Sequence, residues 1–258
     1  MAFIALHFKT LYNKKYQEVR MHKRSRRNQK RHAKMLKRCL IRRKMGKPVF
    51  FTLTHSPVKY KGFSNRYDYK ANLHSIIYKD AHFNNVKFQA SIITRCNFRG
   101  AVLNGVDFFN SNLKQTSFKG AFLKNVVFFN CKFQGTDFTD AKFENVHFIS
   151  SNLSAVNGII FDNSNSEVEV YKSYPVVNLP PETEAALLRT SSNPAVFTPR
   201  VLHVNSNRLN YWVLSLLIEE YGLDYLEQLS EWLNTQKIPN NLYTVHSYEI
   251  LLEKIRKM

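Results

Sequence analysis

From Leu73 to Leu153 every fifth residue is large and apolar, without a break. The series reads Leu73, Tyr78, Phe83, Phe88, Ile93, Phe98, Leu103, Phe108, Leu113, Phe118, Leu123, Phe128, Phe133, Phe138, Phe143, Phe148 and Leu153, 17 positions in all. A period of five is neither 3.6 nor 2, so a simple helix or a flat strand would scatter these side chains around its surface. A coil that turns a corner every five residues keeps them inside. A second series, two residues before each large one, is nearly all small. Within it Ala81, Ala101, Ala121 and Ala141 recur every 20 residues, as do Val86, Val106, Val126 and Val146. Ser91, Ser111, Cys131 and Ser151 form a third column, and Cys96, Thr116 and Thr136 a fourth. Four pentapeptides per coil are the expectation.

Polar residues sit between the two series, as in Ala71-Asn72-Leu73, Cys96-Asn97-Phe98 and Thr136-Asp137-Phe138. These triplets resemble the pentapeptide-repeat family, whose motif is Ala-(Asp/Asn)-Leu-x-x. The resemblance covers 71–158 and implies a mainly β solenoid, a right-handed four-sided β-helix of about four coils. At roughly 4.8 Å per coil it would stand about 20 Å tall. Phe88, Phe108, Phe128 and Phe148 are expected to stack as one column. Cys96, Cys131, Ser111 and Thr116 read as volume-matched fillers of a layered core. The two cysteines fall on different sides with no His at ligand spacing, which argues against a metal site.

Residues that follow a large centre face outward. Phe109, Phe129 and Ile149, with Val127 beside them, therefore form a vertical apolar stripe, which Val102 and Phe122 extend on the neighbouring side. Apolar surface of that extent normally lies under another element. Two readings follow: one of the chain's own flanking segments docks there, or the stripe is a dimer or partner groove. Arg99, Lys119, Lys114 and Lys132 also project, as an ordinary solvated face.

Charge divides the chain. The formal net charge is +19, yet residues 1–62 hold 19 Lys/Arg against one acid, Glu18. The repeat carries nine basic and five acidic groups, and residues 159–258 carry eight and twelve. The organisation expected is a basic arm at 1–47, helical or disordered, and a lead-in and N-terminal cap at 48–70. The repeat then fills 71–158, a linker with short elements 159–206, and a helical region 207–258. End coils need caps because they otherwise expose apolar core. In the helical region, apolar faces recur at helical spacing in 207–221, 224–235 and 244–257.

The arm offers Arg20, Lys23, Arg24, Arg26, Arg27, Lys30, Arg31, Lys34, Lys37, Arg38, Arg42, Arg43, Lys44 and Lys47 as polyanion-binding candidates, with no acid between them. No aromatic lies between residues 21 and 49, so any nucleic-acid contact would be phosphate-driven and non-specific. An anionic membrane surface and a solvated or internally docked arm are the other readings.

Phosphate loops, nucleophile elbows, His-Glu-x-x-His helices and paired Cys-x-x-Cys ligands are all absent from the sequence. The expectation is no catalysis, no metal and no cofactor. No window approaches 18 consecutive apolar residues, and the apolar start Met1 to Phe8 precedes its positive charges, the wrong order for a secretory signal. With three cysteines in the chain, a cytoplasmic protein is expected, bacterial by the resemblance. The function expected is a binding or scaffold protein: the coil is a rigid platform for an unidentified protein partner or a homodimer, and the arm contacts nucleic acid. The alternative that the resemblance supplies is interaction with DNA gyrase or topoisomerase, of the kind that protects against antibiotics. A repeat of positive charge cannot mimic DNA, and the short coil also weighs against that alternative.

Overall fold

The computed structural model describes residues 53–159 and 167–257. Five strands of eight residues recur at 20-residue spacing: β1 (Gly62–Tyr69), β2 (His82–Gln89), β3 (Val102–Phe109), β4 (Phe122–Phe129) and, after the two-residue β5 (Thr136–Asp137), β6 (Lys142–Ile149). They pair in parallel and in register, so Phe88, Phe108, Phe128 and Phe148 are successive Cα partners. Elsewhere each turn is tied to the next by single bridges such as Ile77 to Asn97 and Ile92 to Asn112, and by β5 pairing with β7 (Val156–Asn157). The result is a β-solenoid.

Backbone conformation explains the period. Asn85, Ala90, Arg95 and Gly100, the fifth residues of one turn, all have φ between 51° and 65°. Left-handed residues redirect the chain, and Gly or Asn adopts them at least cost. That is why Asn or Gly fills so many of these corners, including Gly105, Asn125 and Asn145.

Inside, rings stack between turns. Phe108 and Phe128 lie 5.0 Å apart at 8°, Phe128 and Phe148 4.8 Å at 12°, and a second column stacks Phe118 on Phe138 at 4.9 Å and 6°. The small polar series does more than fill volume. Ser111 Oγ donates to the carbonyls of Phe88 and Phe109, Thr136 Oγ1 donates to Leu113, and the Cys131 thiol lies 3.1 Å from the Phe108 carbonyl oxygen. Each such group is thereby satisfied against the adjoining turn, as a buried polar atom must be.

The stack has about five turns where the sequence suggests about four. The extra turn carries β1, registered on β2 from Gly62↔His82 to Tyr69↔Gln89. Its pattern is hidden because Asp68 occupies the Phe column and is buried there, bonded to Arg66 Nε at 2.9 Å. At the other end β8 (Val168–Tyr171) pairs with β6 as a sixth strand of the same sheet.

The helical region follows an extended segment, 172–180. It comprises α1 (Pro181–Arg189), α2 (Pro194–Phe197), a small hairpin of β9 (His203–Asn205) and β10 (Arg208–Leu209), then α3 (Tyr211–Tyr221), α4 (Leu223–Thr235) and α5 (Val245–Ile255). α3 starts later than the apolar spacing suggests because Arg208 and Leu209 pair with β9. Gly222, at φ 88°, ends α3 and turns the chain into α4. α5 opens with a capping box: Thr244 Oγ1 accepts from Ser247 N, and Ser247 Oγ accepts from Thr244 N. Among the described residues no helix is long and apolar enough to cross a membrane.

Candidate interaction site: the solenoid face under the helical region

The fourteen cationic candidates between Arg20 and Lys47 lie outside the described residues. The apolar stripe lies within them, and it is covered. Phe109, Val127 and Ile149 are buried, and Phe129 is half-buried against Trp212 with ring centroids 6.4 Å apart. Val102 and Phe122 are half-buried. The stripe joins the core of the helical region, with Trp212, Val213, Leu217 and Leu252 among its members. That core is separate from the stacked interior of the solenoid, whose buried cluster draws only on residues 71–148.

Polar groups frame this seam. Asp107 Oδ2 accepts from the backbone N–H of Val245 at 3.0 Å, satisfying a donor that the first turn of α5 leaves free. Thr244 Oγ1 donates to Asn85 Oδ1 at 3.0 Å, and Asn85 Nδ2 donates to the Asn241 carbonyl at 2.8 Å. Two turns further along the stack, Asn125 Nδ2 lies 3.2 Å from His246 Nε2, while His246 Nδ1 is 2.7 Å from Glu249 Oε2. The left-handed asparagine corners thus seat the start of α5.

Beneath them lies an ion pair without solvent. Lys87 Nζ stands 3.5 Å from Asp107 Oδ2, both side chains are 0% exposed, and the ammonium sits 3.4 Å from the centroid of the Phe109 ring. Burial pulls the Lys87 ammonium down to about 8 against the pull of Asp107. Burial likewise pushes the Asp107 carboxyl up to about 6, against Lys87 and the Val245 N–H, while Glu249 adds to the rise. Both shifts oppose the charged forms, so desolvation outweighs attraction.

Sequence reasoning missed Lys87 and Asp107. They occupy the position just before a Phe centre, in the column Lys87, Asp107, Val127 and His147. Opposite charges at a 20-residue interval were the available signal. His147 closes that column, mostly buried, with Nδ1 3.0 Å from Glu169 Oε2. Burial is the main cause that lowers its imidazole, and Glu169 opposes it.

Other candidate chemistry is dispersed. Burial raises the thiols of Cys96 and Cys131 to about 12, so neither is a ready thiolate. Beside the seam an open cleft is lined by Asn125, Asn145, Glu220, His246, Glu249 and Glu253. Among the described residues no group of three or more His, Cys, Asp or Glu is arranged to hold a metal ion.

Comparison with known proteins falls on the repeat. Residues 71–158 match the family described as the pentapeptide repeat region, and no curated protein matches the chain. Similar solved structures include a pentapeptide repeat protein from the thylakoid lumen of Arabidopsis thaliana, 19% identical over 40% of this chain and 71% of that one, with a TM-score of 0.28. The pentapeptide repeat protein Rfr23 of the cyanobacterium Cyanothece 51142 is 13% identical over 53% of this chain and 96% of its own, at a TM-score of 0.29. A trypsin-treated form of QnrB1, a plasmid-mediated fluoroquinolone resistance protein, is 17% identical over 54% and 84%, at 0.18. The unbroken five-residue series, its 20-residue coils and the matched segment identify residues 71–158 as a pentapeptide repeat region.

Proposed function

We propose that this protein is a non-enzymatic binding or scaffold protein in which the solenoid is a rigid platform and the cationic segment before it contacts nucleic acid or another polyanion. The single observation that carries the reading is the partition of charge: residues 1–62 hold 19 Lys/Arg and one acid, whereas the repeat is only mildly positive at nine against five. A block of like charge repels itself until an anion neutralises it. A parallel ladder filled with stacked rings is, by contrast, an element that holds its shape while something else binds.

The test is a salt titration of binding to random DNA duplex and to RNA, with the full chain and with residues 1–47 removed. The full chain is expected to bind without sequence preference. About 6–10 phosphate contacts would cost it about 10³–10⁵ in affinity between roughly 50 and 200 mM salt. Equal binding by the truncated chain, or no salt dependence, overturns the reading.

A further inference from the structure

We propose that the helical region, residues 181–257, is a lid that opens as a unit from an intact solenoid and bares the face formed by Phe109, Val127, Phe129 and Ile149. The first ground is how the buried apolar residues divide. The interior cluster of the solenoid includes no residue of the helical region. Of the 22 buried residues in the second cluster, only Phe109, Val127 and Ile149 come from the solenoid. Opening therefore leaves the stacked rings untouched and most of the lid's own core assembled, which is the condition for a sub-global opening distinct from unfolding.

The second ground is what the seam contains. Lys87 Nζ, Asp107 Oδ1 and Tyr248 Oη are buried and lack a hydrogen-bond partner. The Lys87–Asp107 separation of 3.5 Å is long for a charge-assisted bond. Opening returns all of these groups to water, so the seam holds a hydration penalty. In the solenoid the hydroxyls of Ser111 and Thr136 are bonded turn to turn, and Asp68 Oδ2 and Tyr78 Oη, which lack partners, lie at its first turns away from the seam. The apolar stripe and the α5 contacts at Asn85, Asp107 and Asn125 pull the lid shut. The buried pair opposes them. A closed state held by such a balance is reversible.

The third ground is the connection. β8 stays paired with β6 in the solenoid sheet, and α1 begins the lid. Between them residues 172–180 carry no helix or strand, with Lys172, Ser173, Tyr174 and Val176 exposed. Tyr174, its ring 5.5 Å from that of Trp212, and Leu179 pack on the helical core and move with it, so the pivot falls on the backbone angles at Lys172 and Ser173.

Native-state hydrogen exchange on the full chain, followed through low concentrations of denaturant, tests the lid. Core amides of α4 and α5, such as Leu229 and Leu252, are expected to share one opening at least tenfold more frequent than that of Phe108 and Phe118. Its denaturant dependence should also be smaller than that of global unfolding. Lys87→Met combined with Asp107→Asn, which keeps an oxygen for the Val245 N–H, is expected to slow that opening several-fold. Asn85→Cys with Thr244→Cys, once oxidised, should abolish it. A single common opening of lid and solenoid in the unmodified chain overturns the proposal, whatever the variants do.

Discussion

Gly105 lies directly beneath His246: a β carbon on Gly105 would stand 2.8 Å from the imidazole Cδ2. Gly105 belongs to the corner column of Asn65, Asn85, Asn125 and Asn145, and it is the only member without a side chain. Asparagine tolerates its φ of 59°, so Gly105→Asn asks nothing new of the backbone. What it removes is the notch for the first turn of α5. Gly105→Asn is expected to destabilise by about 1–3 kcal/mol through overpacking. Adding His246→Ala should recover most of the loss in thermal or urea melts. An equal loss in both backgrounds would mean that the corner itself, not the helix above it, requires glycine.

Phe128 tests the solenoid interior. Its ring is stacked between Phe108 and Phe148, with Phe118, Phe133 and Phe138 at its edges. Phe128→Ala opens a cavity that rigid neighbouring turns cannot close, and about 3–5 kcal/mol of stability should be lost. Phe129→Ala, one residue on but half-buried under Trp212, should cost less. It should also lower the protection of the helical region and leave the protection of Phe118 unchanged. Hydrogen exchange by both variants separates the two cores.

The inward half of this architecture was legible and the outward half only partly so, for a physical reason. An inward position has one demand, volume, and that demand repeats every turn, so Phe88, Phe108, Phe128 and Phe148 announce themselves. Outward positions answer to whatever packs on them. Phe109, Val127 and Ile149 could be read as a surface needing cover because three large apolar groups aligned. What covers them could not, since α5 meets the stripe across more than a hundred residues of sequence. Asp68 shows the opposite failure: one carboxylate in a Phe position concealed a whole turn of the stack.

Lys87 and Asp107 should behave as a unit. Lys87→Met leaves the Asp107 carboxylate buried with only the Val245 N–H to hold it, and Asp107→Asn strands the Lys87 ammonium without its counter-charge. Either change should cost about 3–5 kcal/mol. The pair Lys87→Met/Asp107→Asn removes both charges and keeps the helix contact. It should match or exceed the parent, by up to about 4 kcal/mol. Urea melts of the four proteins give the coupling; additive losses would show that the two side chains are uncoupled and that each stabilises on its own.

The pH dependence of the same pair has a defined shape. Asp107 is pushed up to about 6 from an ordinary 3.8, so its contribution favours the folded state below 3.8 and is lost as pH rises through about 6. Lys87 is pulled down to about 8 from 10.5, so its contribution favours the folded state above 10.5 and is lost as pH falls through about 8. Between roughly 6 and 8 both groups are charged and the seam carries its greatest burden. The advantage of Lys87→Met/Asp107→Asn over the parent should therefore be widest near pH 7 and shrink toward about pH 4.5 and about pH 9.5. Comparing the two proteins at each pH cancels the titration of groups outside the seam, such as the exposed Asp80 and the half-buried Asp137, whose carboxyls are held low by Lys59 and by Thr139. A difference in melting temperature that is flat with pH, or that grows toward acid, would place the cost of the seam elsewhere, in the orphaned Tyr248 hydroxyl or in the Glu249–His246 contact.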